Sequence, residues 1–208
     1  MLLFNGKKNG KNGYEGNTNG FLVQVVDLVK RFPVGDEEIT VLNGISFSIK
    51  PGEFVSIVGP SGNGKSTLLN MITGIDRPSE GSVLVTGKEV NLMSENQLAS
   101  WRGQHVGIVF QFFQMLPTLS ILQNVILPMD LAQKYPARER SARAMNLLET
   151  VGLADQARKL PGMVSGGQQQ RAAIARAIAN DPEGTWLRPA HNDFRSARAS
   201  FIASHLVR

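Results

Sequence analysis

The sequence predicts an α/β fold: a mostly parallel sheet flanked by helices, with an anion-binding loop at a strand end and a helical block behind it. Three observations carry this. Short apolar, strand-like runs recur at 21–29, 41–49, 54–58, 82–85 and 106–110. One of them, 54–58, feeds a glycine-rich loop that opens a helix. From residue 120 onward the apolar spacing changes from strand-like to helical.

Residues 1–20 hold Gly6, Gly10, Gly13, Gly16 and Gly20 among asparagines and lysines. Such a leader buries too little apolar surface to offset its ordering entropy and is expected to be disordered. From Phe21 the chain reads as β-structure, the run 41–49 alternating through Ile45, Phe47 and Ile49. Pro51-Gly52 turns the chain into the strand 54–58. A short strand at 82–85 stops at Thr86-Gly87, and the apolar run 106–110 stops at Gln111. Residues 120–131 form a candidate helix, capped by Ser120 and interrupted by Pro128. Residues 138–151 place Ala144, Leu147, Leu148 and Val151 on one helical face, with arginines toward water. Residues 168–180 are alanine-rich and helical by propensity. There is no internal repeat.

The loop after strand 54–58 is the most informative stretch. Gly59-Pro60-Ser61-Gly62-Asn63-Gly64-Lys65-Ser66-Thr67 fits the phosphate-loop pattern G-x-x-x-x-G-K-[ST]. Glycines let successive backbone N–H groups point inward and cup a phosphate with no Cβ in the way. Lys65 can reach the β- and γ-phosphates, and Ser66 can offer its hydroxyl to Mg²⁺. The following helix aims its positive end at the anion. A glycine-rich surface turn is the competing reading, and the strand before and helix after oppose it. The expected ligands are therefore ATP, or another nucleoside triphosphate, and Mg²⁺.

Bulk properties narrow the rest. The 208 residues suit one domain, and a hydrophobic fraction of 42% allows a sizeable core. The chain has no cysteine, which excludes disulfides and thiolate metal sites. No apolar run approaches the roughly 18 residues that would span a bilayer. The net charge of +5 is gathered at the ends, in Lys7, Lys8 and Lys11 and in Arg188, Arg195, Arg198 and Arg208. With no basic stripe interleaved with aromatics, nucleic acid is not an expected partner.

A second motif stands far along the chain. Val164-Ser165-Gly166-Gly167-Gln168 precedes the alanine-rich helix, with Ser165 as N-cap and two glycines exposing N–H groups at a helix start. Alone, it reads as a capped helix after a glycine turn. Together with the phosphate loop it resembles the ATP-binding-cassette (ABC) transporter ATPases, whose signature is LSGGQ, here with Val164 in place of leucine. The likeness runs from about Val25 to Pro182. It implies a P-loop NTPase core with an antiparallel β-subdomain and an α-helical subdomain at about 115–165, within an ATP-binding domain spanning 21–183. It implies roles as well. Phe32 falls where the family stacks an aromatic on adenine, an ordinary core phenylalanine being the alternative. Gln111 matches the glutamine that contacts Mg²⁺ and the attacking water. Two such subunits would sandwich two ATPs, with Ser165 and Gly167 reaching the γ-phosphate held by the other subunit, beneath a membrane-spanning permease at the inner face of the plasma membrane. The segments 110–117 and 124–128 resemble the lipoprotein-releasing and macrolide-exporting branch.

The likeness then breaks. Family members follow Asn-Asp-Pro with an apolar strand ending in Asp-Glu, whereas Glu183-Gly184-Thr185-Trp186-Leu187-Arg188-Pro189 has neither a long apolar run nor an acidic pair. Residues 184–208 read as an aberrant tail, frameshifted or truncated, with the buried strand missing and no switch histidine. Asp193 faintly echoes the family's D-loop aspartate. His105, His191 and His205 read as non-catalytic. Two functions compete: the ATPase subunit of an exporter, and a degenerate ATP-binding module without hydrolysis. A small-molecule kinase is disfavoured by residues 164–168.

Overall fold

The computed structural model describes residues 2–4, 20–110 and 112–187. The chain forms two compact units, the first running to Ala99 and the second beginning at Ser100. The fold is mixed α/β, with one four-stranded antiparallel sheet.

In the first unit, β1 (Leu2–Phe4), β2 (Val23–Val34), β3 (Glu37–Ile49) and β4 (Phe54–Val55) precede α1 (Lys65–Ile72), and β5 (Glu80–Val85) and β6 (Lys88–Glu89) follow it. β3, β2, β5 and β6 make one antiparallel sheet in that order. Strands β2 and β3 are longer than the sequence suggested because the turn at Gly35, φ 65°, lets them pair out to Val34↔Glu37. The core face of β2 holds Val23 and Val25 and then skips to Leu28 across a bulge at Asp27. Behind Asp27 the sheet is tight: a Cβ on Gly81 would lie 2.4 Å from the Asp27 carbonyl oxygen. Helix α1 buries Leu68, Leu69, Met71 and Ile72.

Two expectations change here. The leader was expected to lack structure throughout, yet Leu2–Phe4 pairs antiparallel with β4 through Leu2↔Val55 and Leu3↔Phe54. These three residues are the apolar part of a polar leader, and pairing satisfies backbone groups on both strands. The strand expected at 54–58 is regular only over Phe54–Val55, with Phe54 51% and Val58 73% exposed.

The second unit contains most of α2 (Glu95–His105), then β7 (Val106–Val109), α3 (Ile121–Ala132), α4 (Ala137–Thr150), α5 (Gly166–Ala177) and β8 (Gly184–Leu187). Ile121, Val125 and Met129 of α3, Ala144 and Leu148 of α4, and Ala172 and Ala175 of α5 form one buried cluster. Each set recurs at three- or four-residue spacing, so each helix offers one apolar stripe to the others. Pro128 does not interrupt α3. The helix runs through it, and the Pro128 carbonyl accepts a hydrogen bond from the Asn180 amide at 2.9 Å. α4 also closes the end of α5, Arg143 donating to the Ala179 carbonyl at 2.8 Å and pairing with Asp181 at 2.7 Å.

The larger correction concerns the break. Gly184–Leu187, expected to leave a strand missing, forms β8 and runs parallel to β7 in the register Val106↔Gly184 to Val109↔Leu187. Thr185 and Trp186 are residue types that favour strands, and Arg188 and Pro189 come only after the last paired residue.

Candidate functional site

The phosphate loop is built in the first unit. It leaves β4, and Lys65 is the first residue of α1, with Gly64 as its N-cap. Gly62 and Gly64 lie in the left-handed region at φ 86° and 72°. Gly64 needs glycine twice over, since a Cβ there would also sit 2.9 Å from the Leu42 side chain and 3.0 Å from the Val41 carbonyl oxygen of β3. The Gly64 N–H donates to the Gly62 carbonyl at 2.9 Å, and the Leu68 N–H to the Gly64 carbonyl at 2.8 Å, so the loop passes straight into the helix.

The Lys65 ammonium folds back over this loop, donating to the Gly59 carbonyl at 2.8 Å and the Pro60 carbonyl at 2.5 Å. A cation thus stands beside the loop at the N-terminus of α1, held by two loop carbonyls. Pro60, Ser61, Gly62 and Asn63 are exposed, as is Ser66, while Thr67 is half-buried. Among the described residues no three His, Cys, Asp or Glu side chains gather to hold a metal ion.

Phe32 lies on β2 opposite Ile39, two residues along β3 from Val41, whose carbonyl abuts Gly64. It is therefore placed near the loop and is half-buried rather than a core residue. One ring face is covered by Lys30, whose ammonium lies 4.8 Å from the centroid and is fixed by Asp76 at 2.9 Å and the Arg77 carbonyl at 2.8 Å. Sequence reading missed Lys30, and nothing in its spacing marks it.

The signature segment lies in the second unit. Ser165 caps α5: its hydroxyl accepts from the Gln168 N–H at 3.3 Å, and the Gln168 side chain accepts from the Ser165 N–H at 2.8 Å. Gly166 and Gly167 form the first turn, and Val164 is buried against the helical cluster, as an apolar anchor before the cap. Gln111 lies outside the described residues, as do Asp193, His191 and His205. Sequence reading also missed Arg176 of α5, which donates to the Gln114 carbonyl at 2.6 Å and the Phe113 carbonyl at 2.5 Å. Three or four residues from it along the chain lie the buried Ala172, Ala173 and Ala179. Burial lowers its pKa from the usual arginine value.

The carboxylates before β8 are committed elsewhere. Asp181 pairs with Arg143 and accepts from the Tyr135 hydroxyl at 3.1 Å, while Glu183 meets His105 at 2.9 Å. Both precede the strand, away from its C-terminal end.

Comparison with known proteins agrees with this architecture. The sequence profile described as ABC transporter matches residues 42–186. An ABC transporter ATP-binding protein of Thermotoga maritima is 49% identical over 161 residues, 77% of this chain and 68% of that protein. The macrolide export ATP-binding/permease protein MacB of Burkholderia lata is 45% identical over 159 residues, 76% of this chain but 23% of its own length. Among solved structures, the dimeric post-hydrolysis state of the ATP-binding cassette MJ0796, bound to ADP and Pi, superposes with a TM-score of 0.72. It is 42% identical, over 77% of this chain and 70% of that one. The chain spans about two thirds of the first relative and under a quarter of the second. A matching profile over most of its length, and a relative nearly half identical over 161 residues, make this chain a member of the ABC transporter family that carries its ATP-binding domain.

Proposed function

We propose that this chain binds MgATP and, as the nucleotide-binding subunit of an ABC exporter, couples that binding to transport through a membrane-spanning permease. The single observation that carries the reading is the Lys65 ammonium poised over the left-handed loop of Gly62 and Gly64 at the start of α1. The loop N–H groups and Lys65 would take the β- and γ-phosphates, Ser66 and Gln111 the Mg²⁺, and Phe32 the adenine, on the face Lys30 leaves open. Ser165, Gly166, Gly167 and Gln168 would meet the nucleotide of a second copy, a reading supported by the dimeric state of the MJ0796 cassette. Macrolide-type efflux is the transport reading favoured by the likeness to MacB, and lipoprotein release is its neighbour. Both place the subunit at the inner face of the plasma membrane, held there by the permease.

A second reading, a module that binds ATP without hydrolysing it, is favoured by one feature. β8 ends at Leu187 and is followed by Arg188-Pro189, where the family carries Asp-Glu. No carboxylate stands there to take a proton from an attacking water.

The binding claim is tested with Lys65→Ala and a fluorescent ATP analogue. Losing the one flexible cation aimed at the phosphates is expected to weaken binding by more than about a hundredfold, or about 2.7 kcal/mol. Binding of the variant within about threefold of the parent would sink the phosphate-loop assignment.

A further inference from the structure

Phe113 and Gln114, consecutive and neither a glycine, both lie in the left-handed region at φ 55° and 45°. For side chains of this size the conformation crowds Cβ against the neighbouring carbonyl, so it persists only where the surroundings hold it. The turn closes on itself through the Phe113 N–H to the Phe110 carbonyl at 3.0 Å and the Gln114 N–H to the Phe112 carbonyl at 2.5 Å. The outside hold comes from α5. One guanidinium nitrogen of Arg176 donates to the Gln114 carbonyl at 2.6 Å and another to the Phe113 carbonyl at 2.5 Å.

Arg176 shares its helix face with buried alanines, and among the described residues no carboxylate pairs with it. A cation drawn out of water in this way must give its hydrogens to fixed acceptors. The planar fork of arginine suits two adjacent carbonyls, which a lysine's compact ammonium does not match in direction. Beside the contact lies a cavity of about 230 Å³, lined by Ile108, Phe110, Gln114, Arg176 and Asn180. The turn has space to relax into if the fork releases it. Arg176 therefore holds a segment that is costly in conformation and has open space beside it.

We propose that Arg176 is a positioning residue that clamps the 113–114 turn to α5, so that the turn and the helix shift as one body. The coupling purpose rests on the nucleotide reading above, while the clamp itself rests on geometry alone.

The test is amide hydrogen exchange on the full chain, comparing the parent with Arg176→Met and Arg176→Lys. Methionine keeps much of the volume and removes a desolvated charge, a change the fold can absorb. Without nucleotide, exchange across 112–116 is expected to accelerate by about tenfold or more in Arg176→Met and by less in Arg176→Lys, with α4 unchanged. Unchanged exchange at 112–116 in Arg176→Met overturns the clamp. So does an equal rise in α4, which would report general loosening. With MgATP, the parent is expected to change exchange at 112–116 and 165–170 together, and Arg176→Met only at 165–170. Coupled changes that persist in Arg176→Met overturn the proposal. If the parent itself shows no binding of MgATP, the nucleotide reading fails, and the nucleotide-free comparison decides the clamp.

Discussion

A Cβ on Gly107 would lie 2.3 Å from the carbonyl oxygen of Ala177, so the backbone of β7 runs against the end of α5 with no room for a side chain. The obstruction is backbone, with the Pro182 ring a further 3.1 Å neighbour, and neither yields by rotating a side chain. Gly107→Ala is expected to cost about 1–3 kcal/mol, the usual range for overpacking. Urea unfolding of the variant checks this. A midpoint within error of the parent would mean that strand and helix are less closely seated than the geometry requires.

Asn124 carries a heavier load than its single amide suggests. Fully buried in α3, it accepts from the Leu116 N–H at 2.8 Å and donates to the carbonyls of Leu116, Leu119 and Ser120 at 3.0–3.1 Å. Asn124→Leu keeps the volume but strips partners from that loop backbone. A loss of about 2–4 kcal/mol is expected, since each buried polar group left unpaired costs about 1–3 kcal/mol. Thermal unfolding measures it, and proteolysis should find new cleavage within 112–119.

The Glu183 carboxyl is held below its ordinary value. Burial opposes ionisation, but the hydrogen bond and charge of His105, a backbone N–H and Lys134 outweigh it. A carboxyl with a depressed folded pKa adds stability that is complete above its unfolded value of 4.5 and is lost as pH falls through the lower folded value. Glu183→Gln should therefore flatten the acid limb of the stability curve, and cost about 0.5–1.5 kcal/mol near neutral pH. Chemical unfolding across about pH 3–7 tests it, and curves that stay parallel would remove Glu183 from the acid response.

Hydrolysis should be nearly absent. With Arg188 and Pro189 following β8 and no acidic pair there, the sequence offers no carboxylate at that point to take the proton of an attacking water, so phosphate release is expected at the level of Lys65→Ala. Steady-state turnover well above that variant would show that another group supplies the base.

The phosphate loop, the caps at Ser120 and Ser165 and the stripe of α4 were legible in the sequence, because each is a local pattern. What escaped was decided by tertiary partners. β8 is short and opens on glycine, so no periodicity announces it, and it becomes a strand by pairing along β7. α2 lacks a clear apolar stripe, although Ser94 and Gln97 make a reciprocal cap at its start that could have been read. At the candidate site, Lys30 beneath Phe32 and Arg176 against the 113–114 turn were invisible because each acts on residues brought close only by folding.

The two kinds of strand pairing imply an order of assembly during synthesis. β2 and β3 are joined by a tight turn, so their hairpin closes a small loop and can form as soon as Ile49 clears the ribosome. β7 has to wait for β8 while α3, α4 and α5 are still being translated. Through that interval a chaperone would meet a strand still without the one it pairs with. The nascent chain is most vulnerable in the span between Val109 and Gly184, and a translational pause there would prolong the exposure.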